Sequence, residues 1–394
     1  MNQIYQEACG LKESLIQWRR EIHQHPEVGL DLPRTTAFVC EQLRAMGYEP
    51  QIIGGGVVVI ADGGNPGKTF LLRGDMDALP MPEKSGLPFA SADPNAAHTC
   101  GHDIHTAMLL GAAKLLMAHR AEIRGRVKLV FQPGEEVAEG ARQMVDAGVL
   151  EDPKVDACMG MHTLVATDLP TGTLSTAVGP NLASTDLFTI EVQGKGCHGS
   201  RPETGIDTIN ILCHIHTMLQ TITTREKPQK EPVALTIGHI SAGSAPNVLP
   251  SDGFMRGTIR AFDEDVRNAV KKRLVEVAEG TARTLGGTAK VTFSTGLPAV
   301  ICAEDVAAPL LEYFRELVGD GGVAIQPSRM ASEDFSEFTT RVPGAFVRLS
   351  CGSKAEGYTV DAHNPGVIFN EDAIPVGTAA YVYGALRWLE EHPE

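Results

Sequence analysis

The sequence predicts an α/β protein: a central, mostly parallel mixed sheet between helices, interrupted by a smaller α+β insertion. Three observations predict it. Short apolar runs bounded by Gly and Asp alternate with segments of helical periodicity through the first half of the chain. From Leu187 to Phe293 the rhythm changes to strand, helix, strand, strand, helix, strand. At 394 residues the chain also exceeds what one hydrophobic core usually organises, so two domains are expected.

The elements follow in order. Apolar residues at helical spacing (Ile4, Ala8, Leu11, Leu15, Trp18, Ile22) predict one amphipathic helix that stops near His25-Pro26. A second helix is expected from Arg34 to Met46, ended by Gly47. Val57–Ile60, Phe70–Leu72, Val127–Phe131 and Ala157–Met161 read as buried strands, alternating with helices at Ile104–His119 and Val137–Ala147. Such alternation implies parallel pairing, with ligands gathering where strands end and loops begin. The insertion reads Leu187–Val192, helix Ile206–Thr224, Val233–Ile240, Phe254–Ala261, helix Glu264–Leu285 and Lys290–Phe293. That order is the ferredoxin-like motif. Turn residues flank it at Val178-Gly179-Pro180-Asn181 and Gly296-Leu297-Pro298. The expected division is 1–183 with 297–394 for the main domain and 184–296 for the insertion. A last helix is expected at Ile374–Glu391, packed onto the sheet through Trp388.

Composition narrows the function. Lys+Arg 34 against Asp+Glu 49 gives a net charge of −15, which repels phosphate backbones and anionic lipid, so neither nucleic acid nor membrane is an expected partner. A single Arg can still capture a small carboxylate. No basic-then-apolar start and no bilayer-length apolar run are visible. The eight cysteines are scattered without a CxxC pair, which reads as free thiols in the cytoplasm. Gly54-Gly55-Gly56 reads as a turn into a strand, not as a dinucleotide site.

Metal-ligand residue types cluster where strands are expected to end. In His98-Thr99-Cys100-Gly101-His102-Asp103-Ile104-His105, a thiolate and an imidazole flank one glycine and can turn toward one point, a donor pair suited to zinc and its first-row neighbours. An isolated Cys-x-His is more often a buried thiol beside a histidine. Further candidates reverse that balance here. Glu135 and Glu136 follow the strand ending at Phe131, and adjacent carboxylates can divide metal binding from proton transfer. His162 ends another strand, and His363 lies in a late loop. Arg73–Pro80 carries two acids, one of which could orient a ligand imidazole.

Taken together these segments resemble the aminoacylase and hippurate hydrolase group: metallopeptidase family 20, subfamily D, including the indole-acetyl-amino-acid hydrolases. The resemblance runs nearly end to end. It is carried by Ile22–Glu27, Arg73–Pro80, Cys100–His105, Gly134–Glu136, Gly160–His162, Ala245–Pro250, Ser332–Phe335 and His363–Pro365. It implies two divalent ions (manganese, zinc, cobalt or nickel) held by Cys100, His102, Glu136, His162 and His363, with Cys100 as the bridge. It implies Glu135 as general base toward a metal-bridging hydroxide, Asp77 as the acid behind a ligand, and His105 as a supporting partner. The insertion corresponds to a lid and dimerisation domain. There His198 matches a histidine that stabilises the oxyanion in a neighbouring active site, and Asn247 and Arg260 match positions holding the substrate carboxylate. The implied activity is hydrolysis of the amide in an N-acyl-L-amino acid by a homodimer.

Three departures stand out: Glu203 follows Pro202, Gly74 replaces the usual Ala, and the acids after the His363 loop read Asn370-Glu371-Asp372. Alternatives are a dipeptidase or carboxypeptidase acting on small peptides, a Cys100 nucleophile served by His102 or His105, and a non-catalytic metal-stabilised binding protein. A chelator separates the thiol enzyme from the metal enzyme.

Overall fold

The computed structural model describes residues 2–393, apart from the side chain of residue 295. Contacts divide the chain into two units: Met1–Asn181 with Ile301–Pro327 and Asp334–Glu394, and Leu182–Val300 with Ser328–Glu333.

The first unit is built on an eight-stranded mixed sheet in the order Gln51–Ile53, Gly56–Asp62, Arg126–Gln132, Thr69–Asp75, Ala157–Leu164, Gly344–Ser350, Leu174–Thr176, Val323–Ile325. Its centre is parallel, from Arg126–Gln132 through Thr69–Asp75 and Ala157–Leu164 to Gly344–Ser350. Thr69–Asp75 and Gly344–Ser350 are buried along their whole length, as parallel strands covered by helices are. Helix His102–Ala118 is likewise buried through most of its residues, which is why it shows little polar face in the sequence. The last helix is Ile374–Glu391, and its Trp388 ring lies 5.0 Å from that of Phe70 on the sheet.

Two expected helices differ. The first is broken at Leu11 into Gln3–Gly10 and Lys12–Gln24, the break following a glycine that disfavours helix interior. The helix expected over Val137–Ala147 is only Gly140–Asp146. The chain before it folds back on itself: Gly134 and Ala138 take positive φ of 66° and 58°, and the N–H groups of Glu139 and Gly140 both donate to Gly134 O. A Cβ at Gly140 would collide with Pro133 O, so this glycine permits the fold-back. Glu135 and Glu136 therefore lie in a tight turn, not in a helical first turn.

The second unit holds a four-stranded antiparallel sheet, Val233–Ala242, Asp252–Ala261, Thr185–Gln193, Thr288–Leu297 in spatial order. Helices Thr208–Thr221 and Glu264–Thr284 supply Ile211, Ile215, Leu219, Leu274 and Ala278 to a core with Phe188, Ile190, Met255 and Ile259. Asp207 and Asp263 cap these helices, accepting from the N–H groups of Asn210 at 3.0 Å and Val266 at 2.9 Å. A short ladder pairs Cys197–His198 with Val248–Leu249.

Among the described residues no helix is long and apolar enough to cross a membrane. All eight cysteines are free.

Candidate metal centre

In the first unit, four segments bring sulfur, nitrogen and oxygen donors to one place. Cys100 precedes helix His102–Ala118, and Gly101 between them takes φ +91°, the left-handed conformation that turns the thiol and the imidazole to the same side. A Cβ at Gly101 would collide with Thr163 Oγ1, so the reversal requires glycine twice over. Cys100 Sγ lies 3.4 Å from His162 Nε2 and 3.2 Å from His363 Nε2. His363 Nε2 is 3.3 Å from Glu136 Oε1, and His102 Nε2 is 3.9 Å from the same oxygen. Three donor sets result, Cys100–His102–His162, Cys100–Glu136–His363 and His102–Glu135–Glu136, each with its atoms within 4.8 Å of one another. Cys100 is common to two of them.

Hydrogen bonds behind the donors fix which nitrogen faces the centre. His162 Nδ1 donates to Thr163 O at 2.6 Å, leaving the Nε2 lone pair directed at Cys100. His102 Nδ1 lies 3.3 Å from Asp77 Oδ1, and the two Asp77 oxygens accept from the backbone N–H groups of Glu135 at 3.0 Å and Glu136 at 3.1 Å. His363 adopts φ +59°, and its N–H donates to Thr99 O at 3.0 Å, which ties the late loop to the segment before Cys100. His105 has no lone pair to offer: Nδ1 donates to Asp75 Oδ1 at 2.5 Å, and Nε2 accepts from Thr163 N–H at 2.8 Å.

Asp75 and Arg73 have a part here that sequence reasoning did not assign. Both are fully buried. Arg73 donates to Asp75 at 2.5 Å, to Asp334 at 2.8 Å and to Gln132 at 2.8 Å, so Asp75 carries the charge of the strand end to His105 and lies 3.8 Å from His102 Nε2. The signal available was the two-residue spacing, which puts both side chains on one face of the strand.

The electrostatics suit a cation. Burial opposes charge on Asp75, but Arg73, His102 and His105 hold its carboxyl well below the usual range. Burial likewise opposes a charged His102, yet Asp75, Cys100 and Asp77 raise its pKa well above the ordinary value. His162 is pushed well down, by burial first and then by His105. Burial pushes the Cys100 thiol up to about 12 despite His102 beside it. A divalent cation reverses that balance, because a coordinated thiol loses its proton.

The fit of these residues to metal rests on unsatisfied buried atoms. Nε2 of His102 and Oε1 of Glu136 are buried without a hydrogen-bond partner, while His102 Nδ1 has only its 3.3 Å contact with Asp77 Oδ1. The ion-pair partners of Glu136 among the described residues are histidines, His102 and His363. Buried acceptors left this way are costly unless a positive centre meets them. One thiolate, three imidazoles and a carboxylate match zinc, manganese, cobalt or nickel.

The remaining predicted residues lie in the second unit. His198 is exposed and its Nδ1 accepts from Ser200 N–H at 3.1 Å, so Nε2 carries the proton and can donate. Val248 pairs with His198 across the short ladder, and just before it Asn247 O accepts from Gly199 N–H at 2.8 Å. Arg260 lies near the end of Asp252–Ala261, and its Nη1 donates to Ser332 Oγ at 2.7 Å. Desolvation alone lowers its pKa.

Comparison with known proteins agrees with the resemblance read from the motifs. Residues 71–387 match the sequence profile of peptidase family M20/M25/M40. The N-acetyl-L-cysteine deacetylase of Bacillus subtilis (strain 168) is 35% identical over 98% of this chain and 90% of its own length. Thermostable carboxypeptidase 1 of Saccharolobus solfataricus is 34% identical over 96% of both chains. The crystal structure of a dinuclear metal-binding peptidase of family M20 from Bacillus subtilis matches with a TM-score of 0.84 and 32% identity, covering 97% of this chain and 99% of that one. A Cys–His–Glu donor centre, on a chain that follows these relatives almost from end to end, places this protein in peptidase family M20/M25/M40.

Proposed function

We propose that this chain is a metal-dependent amidohydrolase that cleaves the amide of N-acyl-L-amino acids. The observation that carries the reading is the convergence of Cys100, His102, Glu136, His162 and His363, with a carboxylate oxygen of Glu135 within 4.8 Å of donor atoms of His102 and Glu136. Two divalent cations bound there would polarise the scissile carbonyl and acidify water. The other tasks fall to the chain's own groups.

Glu135 accepts the proton of the attacking water and delivers it to the departing amide nitrogen. Asp77 holds that carboxylate and its neighbour in place through their backbone N–H groups. His198 Nε2–H serves as a preorganised donor to the oxyanion, the kind of contribution worth about 3 kcal/mol. Arg260 and Asn247 hold the substrate carboxylate. On this reading the first unit is the metal domain, and the second serves as lid and dimerisation domain, with His198 acting on the partner's centre in a homodimer. Eight free cysteines, several of them buried, favour a reducing cytoplasm.

The deacetylase relative supports N-acyl amino acids as substrates, and the carboxypeptidase relative supports a second reading in which the acyl side is a peptide. Both leave an amino acid with a free carboxylate. A panel of N-acetyl, N-benzoyl and N-indole-acetyl amino acids alongside dipeptides, assayed with manganese or zinc, separates them. Glu135→Gln should lower kcat by about 10²–10⁴-fold on the best substrate while metal content stays at the wild-type level. Undiminished turnover in that variant would remove Glu135 from the chemistry.

A further inference from the structure

Ser332 opens the motif Ser332-Glu333-Asp334-Phe335, in which Asp334 accepts from Arg73 while Ser332 has no part in the proposed chemistry. The short segment Ser328–Glu333 belongs with residues far earlier in the sequence. Ala183 N–H donates to Ala331 O at 2.9 Å and to Arg329 O at 3.1 Å. Ser184 in turn grips the strand end: its N–H donates to Ala261 O at 2.7 Å, and its Oγ accepts from Ala261 N–H at 3.1 Å. This corner sets Ser332 beside Arg260, the residue preceding Ala261.

Arg260 is a half-buried guanidinium whose one hydrogen bond among the described residues goes to Ser332 Oγ, with no acidic partner. A guanidinium withdrawn from water without an anion is unfavourable, and carboxylates complete such sites. The Ser332 hydroxyl accepts from Arg260 and has a proton of its own to give. No acceptor for that proton is found among the described residues. Serine thus fixes one arm of the guanidinium and adds an O–H donor beside it.

We propose that Ser332 is a carboxylate-positioning residue: it orients Arg260 and donates its hydroxyl proton to the same substrate carboxylate. Specificity for a free carboxyl next to the scissile amide is then shared between two residues 72 positions apart. The proposal rests on Arg260 being the carboxylate-binding residue.

The test compares N-acetyl-L-methionine with N-acetyl-L-methioninamide on the metal-loaded full-length enzyme. Ser332→Ala should raise KM for the acid about 10- to 100-fold, the scale of a hydrogen bond to a charged group. Its kcat for the acid and both constants for the amide should stay within about twofold of wild type. Ser332→Thr should restore the acid KM, and Ser332→Val, of the same shape without the hydroxyl, should not. Equal losses on acid and amide, or a Val variant equivalent to Thr, overturn the proposal while leaving Arg260 as the carboxylate site. Should Arg260→Ala itself affect acid and amide alike, the carboxylate reading falls and the role of Ser332 falls with it.

Discussion

The two oxygens of Asp77 take the backbone N–H groups of Glu135 and Glu136, and one of them also faces His102 Nδ1. One side chain therefore orients a nitrogen donor and the turn that presents both carboxylates. Asp77→Asn puts an NH₂ where an acceptor is needed, so one N–H loses its partner. Metal affinity should drop about 10- to 100-fold, measured by competition with a fluorescent chelator. An affinity equal to wild type would mean that the turn holds its shape without the carboxylate. Much at this scale was legible. Cys100 and His102 announce themselves through spacing around one glycine, and Glu135 and Glu136 through their place after an apolar strand. Asp75 and Ser332 were not, because each acts through a partner far along the chain, His105 for one and Arg260 for the other.

Helices show the same limit more sharply. Arg19 falls on the apolar stripe of its helix, four residues after Leu15 and three before Ile22, and this cation is only 1% exposed. It donates to Asp103 at 2.7 Å and to Glu371 at 3.0 Å, joining the first turn of the His102 helix to the segment that follows the His363 loop. Glu371 also accepts from Arg20 at 3.0 Å, so the acids at Asn370-Glu371-Asp372 have a structural use. Partners so distant in sequence leave no local trace for a periodicity argument to read. Removing the cation by Arg19→Met should leave Asp103 buried and underpaired and cost about 3–5 kcal/mol, read by urea unfolding. A loss below about 1 kcal/mol would mean water or His23 compensates. The shortened helix Gly140–Asp146 has a similar cause: backbone fold-back around Gly134 overrides a good apolar pattern.

For the molecule as a whole, the expected mixed sheet, largely parallel at its centre, is present, since alternating apolar runs and helices admit few other arrangements. Stability should carry the mark of its buried acids. Burial works against the charge of Glu83, but His23, Ser85 and the Ser91 N–H outweigh it and bring its pKa to about 2 from an ordinary 4.5. A depressed carboxyl stabilises the fold fully above its unfolded pKa and loses that contribution as pH falls toward the folded one. Between about pH 4.5 and 2 the wild type should therefore lose stability faster than Glu83→Gln when both are unfolded without added metal. Parallel curves from intrinsic fluorescence would remove Glu83 from the acid response.

The return of Ser328–Glu333 to the second unit has a bearing on protein engineering. A shortened chain made by deleting residues 182–300 and splicing the ends would discard Ala183 and Arg260, the groups that anchor this six-residue tether. Its carbonyls and hydroxyl would be stripped of partners immediately ahead of Asp334, which the Arg73 guanidinium needs. Miniaturising this enzyme requires redesigning that tether together with the deletion.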